Sequence, residues 1–237
     1  MERTDGAQRE QSEQQHQPPE GAEQTQIGRQ PPEQDQAIVD PQGRGLAVPR
    51  RHTTIGVDPL DQVAWTFRSA IIKEPDGSVV FSMGNCEVPK DWSQLATDIA
   101  VSKYFRKAGV PGTGHEVSVR QLVHRVANTI RHAGEERGYF SSVADADTFE
   151  AELSHLLVTQ RGAFNSPVWF NCGLFHHYNA EGSGGNWAWD DHKSDIVKLK
   201  NNYTRPQCSA CFIQAVDDDL MSIFDLAKSE ARLLACV

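Results

Sequence analysis

Residues 211–216, CFIQAV, constrain this chain more than any other stretch. A short apolar run of this kind, between Pro206 and the acidic Asp217–Asp219, has the length and composition of a buried strand. The sequence after it, DDDLMSIFDLAKSEARLL, places Leu220, Ile223, Leu226 and Leu233 at helical spacing. Its leading aspartates suit the positive end of a helix macrodipole. A buried strand satisfies its backbone only within a sheet, and a strand followed by a helix is one step of a βα alternation. No further strand pattern follows before Val237. The physical expectation is the opening step of a larger α/β domain whose other strands are not in this sequence.

Upstream, the chain divides by composition. Residues 1–51 include EQSEQQHQPPEGAEQTQIGRQPPEQDQ, rich in Gln, Glu and Pro and poor in large apolar side chains. Such a segment cannot offset a backbone ordering cost of roughly 1–2 kcal/mol per residue, so a disordered tail is expected there. Residues 52–204 read as a hairpin and a mainly helical region. Two apolar-rich runs flank EPDGS, whose Pro-Asp-Gly is a turn signal. From Asp91, an expected N-cap, Trp92, Leu95, Ile99 and Tyr104 suggest one helical stripe. Val119, Leu122, Val123, Val126 and Ile130 suggest a second helix, with Gly134 as its stop. DADTFEAELSHLLVTQRG suggests a third, capped by Asp147 and ended by Gly162. The stretch NAEGSGGNWAWDDHKSD reads as loop. Residues 205–237 form the strand-and-helix step. The part present is therefore α+β, leading into an α/β domain.

The formal net charge of −9 gives no general attraction to DNA or anionic lipid, so neither direct nucleic-acid binding nor membrane attachment is expected. No run approaches the ~20 apolar residues of a membrane helix, and the N-terminus MERTDGAQREQSEQQ lacks an apolar signal region. A cytoplasmic setting is the expectation. Five cysteines in such a chain argue against a disulfide scaffold.

Two stretches carry reactive groups. QCSAC holds Cys208 and Cys211. A tetrahedral zinc site needs four ligands, yet Cys86, Cys172 and Cys236 form no second CxxC, and His176 and His177 are adjacent. A thioredoxin-type pair would sit at a helix N-terminus, whereas Cys211 leads into an apolar run. A buried structural thiol is the third reading, and spacing alone decides among none of them. In FNSPVWFNCG, residues 164–173, Trp169 and Phe170 read equally as packing around a loop or as aromatics behind a polar pocket wall of Asn165 and Ser166.

WSQLATDIAVSKYFR, RGAFNSPVWFNCGL and QCSACFIQAVDDDLMSIFDLAKSEARLL resemble the N-terminal part of adenosylcobalamin (vitamin B12)-dependent, class II ribonucleotide reductases, from about Val57 to about Leu234. The resemblance implies reduction of ribonucleotides to deoxyribonucleotides by radical chemistry inside a ten-stranded α/β barrel. The cofactor generates a thiyl radical, and two other cysteines become a disulfide as the 2′ hydroxyl leaves as water. Onto this sequence it maps Cys211 as one of the reducing pair. It maps Ser166, Ala210 and Cys211 as the substrate-binding residues, Ala210 through its backbone. Asp218 maps to a contact of an allosteric specificity nucleotide, with helix capping as the alternative for Asp217–Asp219. Cys208 receives no role, and no metal ligand is assigned. A thioredoxin-like reductant and a homodimer or complementing C-terminal polypeptide are the implied partners.

The radical-bearing cysteine, the second reducing cysteine, the general base and most of the cobalamin site find no match in this sequence, and Cys236 cannot be assigned to any of them. A truncated chain inactive by itself, one half of a split enzyme, and a non-catalytic interaction protein are the resulting expectations. Whether a diphosphate or a triphosphate is the substrate is left open.

Overall fold

A computed structural model describes residues 45–234. Among these the chain is α+β, with two small antiparallel hairpins and a helical body. Residues 1–44, where the tail is expected, lie outside the described residues. Gly45–Arg51, which composition assigns to that tail, run along the helical body instead. The Leu46 amide donates to the Tyr139 carbonyl (2.7 Å) and its carbonyl accepts from Ser141. Carboxylates hold the next residues. Asp145 accepts from the Val48 amide (2.8 Å), and Glu152 accepts from the amides of Arg51, His52 and Thr53. Polar bonding of the backbone, which leaves no hydrophobic pattern, orders this segment.

The first hairpin pairs β1 (Trp65–Lys73) with β2 (Val79–Pro89). The EPDGS turn closes as expected: the Glu74 amide bonds the Ser78 carbonyl, Asp76 accepts from the Ser78 amide, and Gly77 takes φ +87°. Ala70, Cys86 and Val88 point from this hairpin into the core.

α1 (Gln94–Ile99) continues into a π turn, Ala100–Tyr104. Ser93, not Asp91, caps it, its hydroxyl accepting from the Ala96 amide. The expected stripe is also displaced. Leu95 and Ile99 are exposed, while Thr97, Ala100 and Val101 are buried. The wider π turn rotates the buried face away from simple i, i+4 spacing.

α2 (Val119–Glu136) is the central element. Ser118 and Gln121 form a reciprocal capping box, and Leu122, Val123 and Val126 enter the core. Each such side chain stabilises the fold by about 1.5–3 kcal/mol when buried. Gly134 is not the helix stop. It lies inside α2, where a Cβ would meet the Phe140 ring at 2.7 Å. α3 (Val143–Val158) packs on α2 and is capped by Ser142 rather than Asp147. Asp147 sits on the helix surface and pairs with Arg131 at 2.9 Å. α3 turns off at Gln160 (φ +57°), ahead of the expected Gly162.

α4 (Ser166–Asn171) and α5 (Leu174–Tyr178) follow, and then a second hairpin, β3 (Trp187–Asp190) with β4 (Asp195–Lys198), where a loop was expected. Alternating Trp187-Ala188-Trp189 carries the period of a strand, but the Gly- and Asp-rich flanks obscure it. Asp190 closes its turn by accepting from the His192 and Lys193 amides. The expected strand CFIQAV is absent. Residues 205–219 have no ladder partner, and Phe212, Ile213 and Val216 are exposed. A strand pattern without a neighbouring strand leaves its backbone groups to water. α6 (Leu220–Leu234) closes the described chain, with Leu220, Met221, Ile223 and Phe224 exposed.

Candidate functional site

Ser166 opens α4. This short helix starts where the sequence favours it: the Asn165 side chain accepts from the Val168 amide, and Pro167 occupies the first turn. The Ser166 hydroxyl lies 3.3 Å from the Tyr104 hydroxyl. Tyr104 in turn packs against Trp169 and Phe170, with ring centroids 6.1 and 5.6 Å away. The Trp169 indole donates to the Phe164 carbonyl (3.0 Å). Ser166 is thus half-buried and presented by a rigid aromatic frame, with a hydroxyl able to bond a ligand hydroxyl or phosphate as well.

A buried ion pair fixes the other end of α4. Arg125 is 1% exposed and Glu116 is fully buried. The guanidinium donates to Glu116 at 2.7 and 3.3 Å, to the Cys172 carbonyl at 2.5 Å and to the Trp169 carbonyl at 3.1 Å. Glu116 also accepts from the Arg106 amide and the Tyr178 hydroxyl, both at 2.7 Å. Burial, reinforced by the neighbouring carboxylate, pushes the Tyr178 hydroxyl upward, so it remains a donor. Every charge is met by hydrogen bonds, the condition under which a buried pair is tolerated. The network joins α2, α4, α5 and the loop before α2. Gly173 allows this approach. It has φ +79°, and a Cβ there would lie 2.6 Å from both the Arg125 side chain and its carbonyl. Sequence reasoning missed this pair. Its one signal is a charged residue three positions after Leu122, on the stripe that enters the core.

Ala210 and Cys211 lie in the irregular segment after Thr204, and both are exposed. The Asn171 amide donates to the Gln207 carbonyl at 2.9 Å, which ties this segment to the end of α4. Cys208, next along, packs half-buried against the core cluster that contains Cys172. Its thiol partner is Cys172. The hydrogen bond from Cys172 holds the Cys208 thiol down against the effect of burial, while that bond and burial push Cys172 up. The CxxC spacing is therefore not a local pair, since Cys208 turns inward and Cys211 outward. Ser166, Ala210 and Cys211 all lie outside the large cavity of about 1470 Å³ that Cys172 and Cys208 help to line.

Asp219 supplies the cap of α6, accepting from the Met221 and Ser222 amides at 2.9 and 3.2 Å. The Asp217 amide donates to the Ser222 hydroxyl. Asp218 is exposed between them. Among the described residues no group of three or more His, Cys, Asp or Glu side chains is arranged to hold a metal ion, and no helix is long and apolar enough to cross a membrane.

Residues 66–160 match the family model described as class II vitamin B12-dependent ribonucleotide reductase. The chain is 48% identical over 178 residues to a vitamin B12-dependent ribonucleotide reductase of Rhodopirellula baltica, covering 75% of this chain and 17% of that protein. It is 38% identical over 224 residues to the protein of the same name from Bradyrhizobium diazoefficiens, covering 79% and 18%. With that of Streptomyces coelicolor the identity is 42% over 194 residues, covering 81% and 17%. The resemblance drawn from the three stretches is thus borne out, and the chain spans less than a fifth of the length of the curated relatives it matches.

Proposed function

We propose that this chain, similar to an N-terminal portion of vitamin B12-dependent ribonucleotide reductases, supplies part of the substrate site and one reducing thiol for conversion of ribonucleotides to deoxyribonucleotides. The observation that carries this is the Asn171–Gln207 hydrogen bond. It links the two motif-bearing segments, NSPVWFN on α4 and SACFI after Gln207, far apart in sequence. Ser166 then binds the substrate through its hydroxyl, oriented by Tyr104, and the Ala210 backbone lines the same site. Cys211 is one of two thiols that give up two electrons and two protons, forming a disulfide as the 2′ hydroxyl departs as water. Its exposure gives a second thiol and a thioredoxin-like reductant access to it. When bound, adenosylcobalamin would supply the radical.

The exposed apolar row of Phe212, Ile213 and Val216, continued by Leu220, Met221 and Phe224, supports the barrel reading. Added strands would pair with residues 211–216 and cover these side chains. Those strands would come from further sequence or from a complementing polypeptide. Asp218, left free by the capping of Asp219, is the proposed contact for an allosteric nucleotide.

A chimera tests this reading. Residues 57–234 of this chain replace the matching segment of the Rhodopirellula baltica relative, and deoxyribonucleotide formation is assayed with and without adenosylcobalamin. The expected result is cofactor-dependent turnover that Cys211→Ser abolishes and Ser166→Ala lowers mainly through KM. Turnover unaffected by either substitution would remove both residues from the site.

A further inference from the structure

We propose that Cys172 and Cys208 form a second redox pair, distinct from the reducing thiol Cys211, which closes to a disulfide under peroxide and staples the Cys211-bearing segment to α4.

Three features of the geometry lead to this pair. Cys172 ends α4, and its carbonyl is held by Arg125 at 2.5 Å, so its backbone is fixed. Cys208 follows Gln207, whose carbonyl is held by Asn171 at 2.9 Å. The residues immediately preceding the two cysteines are thus already bonded across the gap. Both cysteines border the large cavity, together with Gly173, Arg205 and Gln207, and this opening gives a small oxidant access to a thiol that is otherwise buried. Among the described residues the other two thiols are differently placed. Cys86 is buried in the first hairpin, and burial pushes its thiol up, whereas Cys211 is exposed.

The two thiols are chemically unequal in the way that stepwise oxidation requires. The proton shared from Cys172 favours thiolate on Cys208, and thiolate is the nucleophile. The Cys208 sulfur attacks one oxygen of hydrogen peroxide, breaking the O–O bond and giving a sulfenic acid and one water. The Cys172 sulfur then attacks the sulfenic sulfur, displacing its hydroxyl as a second water and giving the disulfide. Two thiols are oxidised by two electrons and one peroxide is reduced. A thiol reductant reverses the step by exchange.

The consequence is positional. Residues 205–219 have no regular structure, and the half-buried Cys208 side chain and the Asn171 bond anchor their start. A covalent link three residues before Cys211 would restrict that thiol's reach, so oxidation would hold the segment in one place until reductant returns.

The test uses the 237-residue chain, fully reduced, then exposed to hydrogen peroxide, alkylated under denaturing conditions and digested with trypsin. Two of its five thiols should be lost. Peptide sequencing should find the Cys172 peptide linked to the Cys208 peptide, with Cys211 in that same peptide alkylated. Cys211→Ser should keep the link, Cys208→Ser should abolish it, and hydrogen exchange across 205–219 should slow severalfold on oxidation. A Cys208–Cys211 loop, or independent sulfinic acids with Cys172 alkylated, would overturn the proposal. Because the wild-type digest decides, it does so even where a variant fails to fold, and it reads nothing from reductase activity.

Discussion

Replacing Arg125 with Met keeps much of the side chain's volume and removes its charge. The substitution deletes four hydrogen bonds, two to Glu116 and one each to the Trp169 and Cys172 carbonyls. Glu116 keeps the Arg106 amide and the Tyr178 hydroxyl but loses its countercharge in full burial. Breaking one side of a buried pair costs about 3–5 kcal/mol, a large share of the ~5–15 kcal/mol stability of a domain. With a urea slope near 2 kcal/mol per M, the unfolding midpoint should fall by roughly 2 M. Tryptophan fluorescence follows it well, because Trp169 packs on the affected helix. Glu116→Gln in the same chain removes the stranded charge, so the double variant should be more stable than Arg125→Met alone. A loss under about 1 kcal/mol, or losses that simply add in the double variant, would refute the account of a coupled, charge-bearing network.

Gly173→Ala should destabilise the chain by at least about 2 kcal/mol, through a strained positive φ and overlap with Arg125. The same denaturation assay reads it, and Gly77→Ala, with open space around it, should cost less. Glu152 is pushed up by burial, but bonds from the Thr53 hydroxyl and the amides of His52, Arg51 and Thr53 prevail and hold it down to about 2. A carboxylate lowered on folding stabilises above its unfolded value of 4.5 and loses that contribution as pH falls toward 2. The stability gap between wild type and Glu152→Gln should therefore close across that window. His177 is lowered to about 4, by burial first and then by His176, His124, Arg125 and His132. A histidine kept neutral by folding stabilises above 6.5 and loses this as pH falls from 6.5 toward 4, so His177→Gln should flatten acid destabilisation between those values in a thermal-melt series.

The hairpin, α2 and α3 were legible in the sequence because the turn chemistry and apolar spacing of each agree with the tertiary result. The caps were legible only in part. Ser93 and Ser142 cap in place of Asp91 and Asp147, since a serine hydroxyl directly before the first turn reaches the orphan amides. The π turn at Ala100–Tyr104 was hidden, because it breaks the period on which the reading rests. For the candidate site, Ser166 and Cys211 were reached through the motifs, and their linkage through Asn171 was not, since a side-chain bond to a distant carbonyl leaves no periodic trace. The same holds for Glu116 and Arg125, nine residues apart in sequence yet joined only by folding. CFIQAV kept its strand composition and lost its strand, because composition states a preference and a ladder needs a neighbour.

Single turnover reads the proposed role of Cys211 as a reducing thiol without the complication of external reductant. The prereduced chimera is given ribonucleotide and adenosylcobalamin without external reductant, quenched, and its thiols mapped. The expected yield is about one deoxyribonucleotide per chain, with Cys211 oxidised in a disulfide to a cysteine contributed by the relative. Product formed while Cys211 remains a free thiol would contradict it.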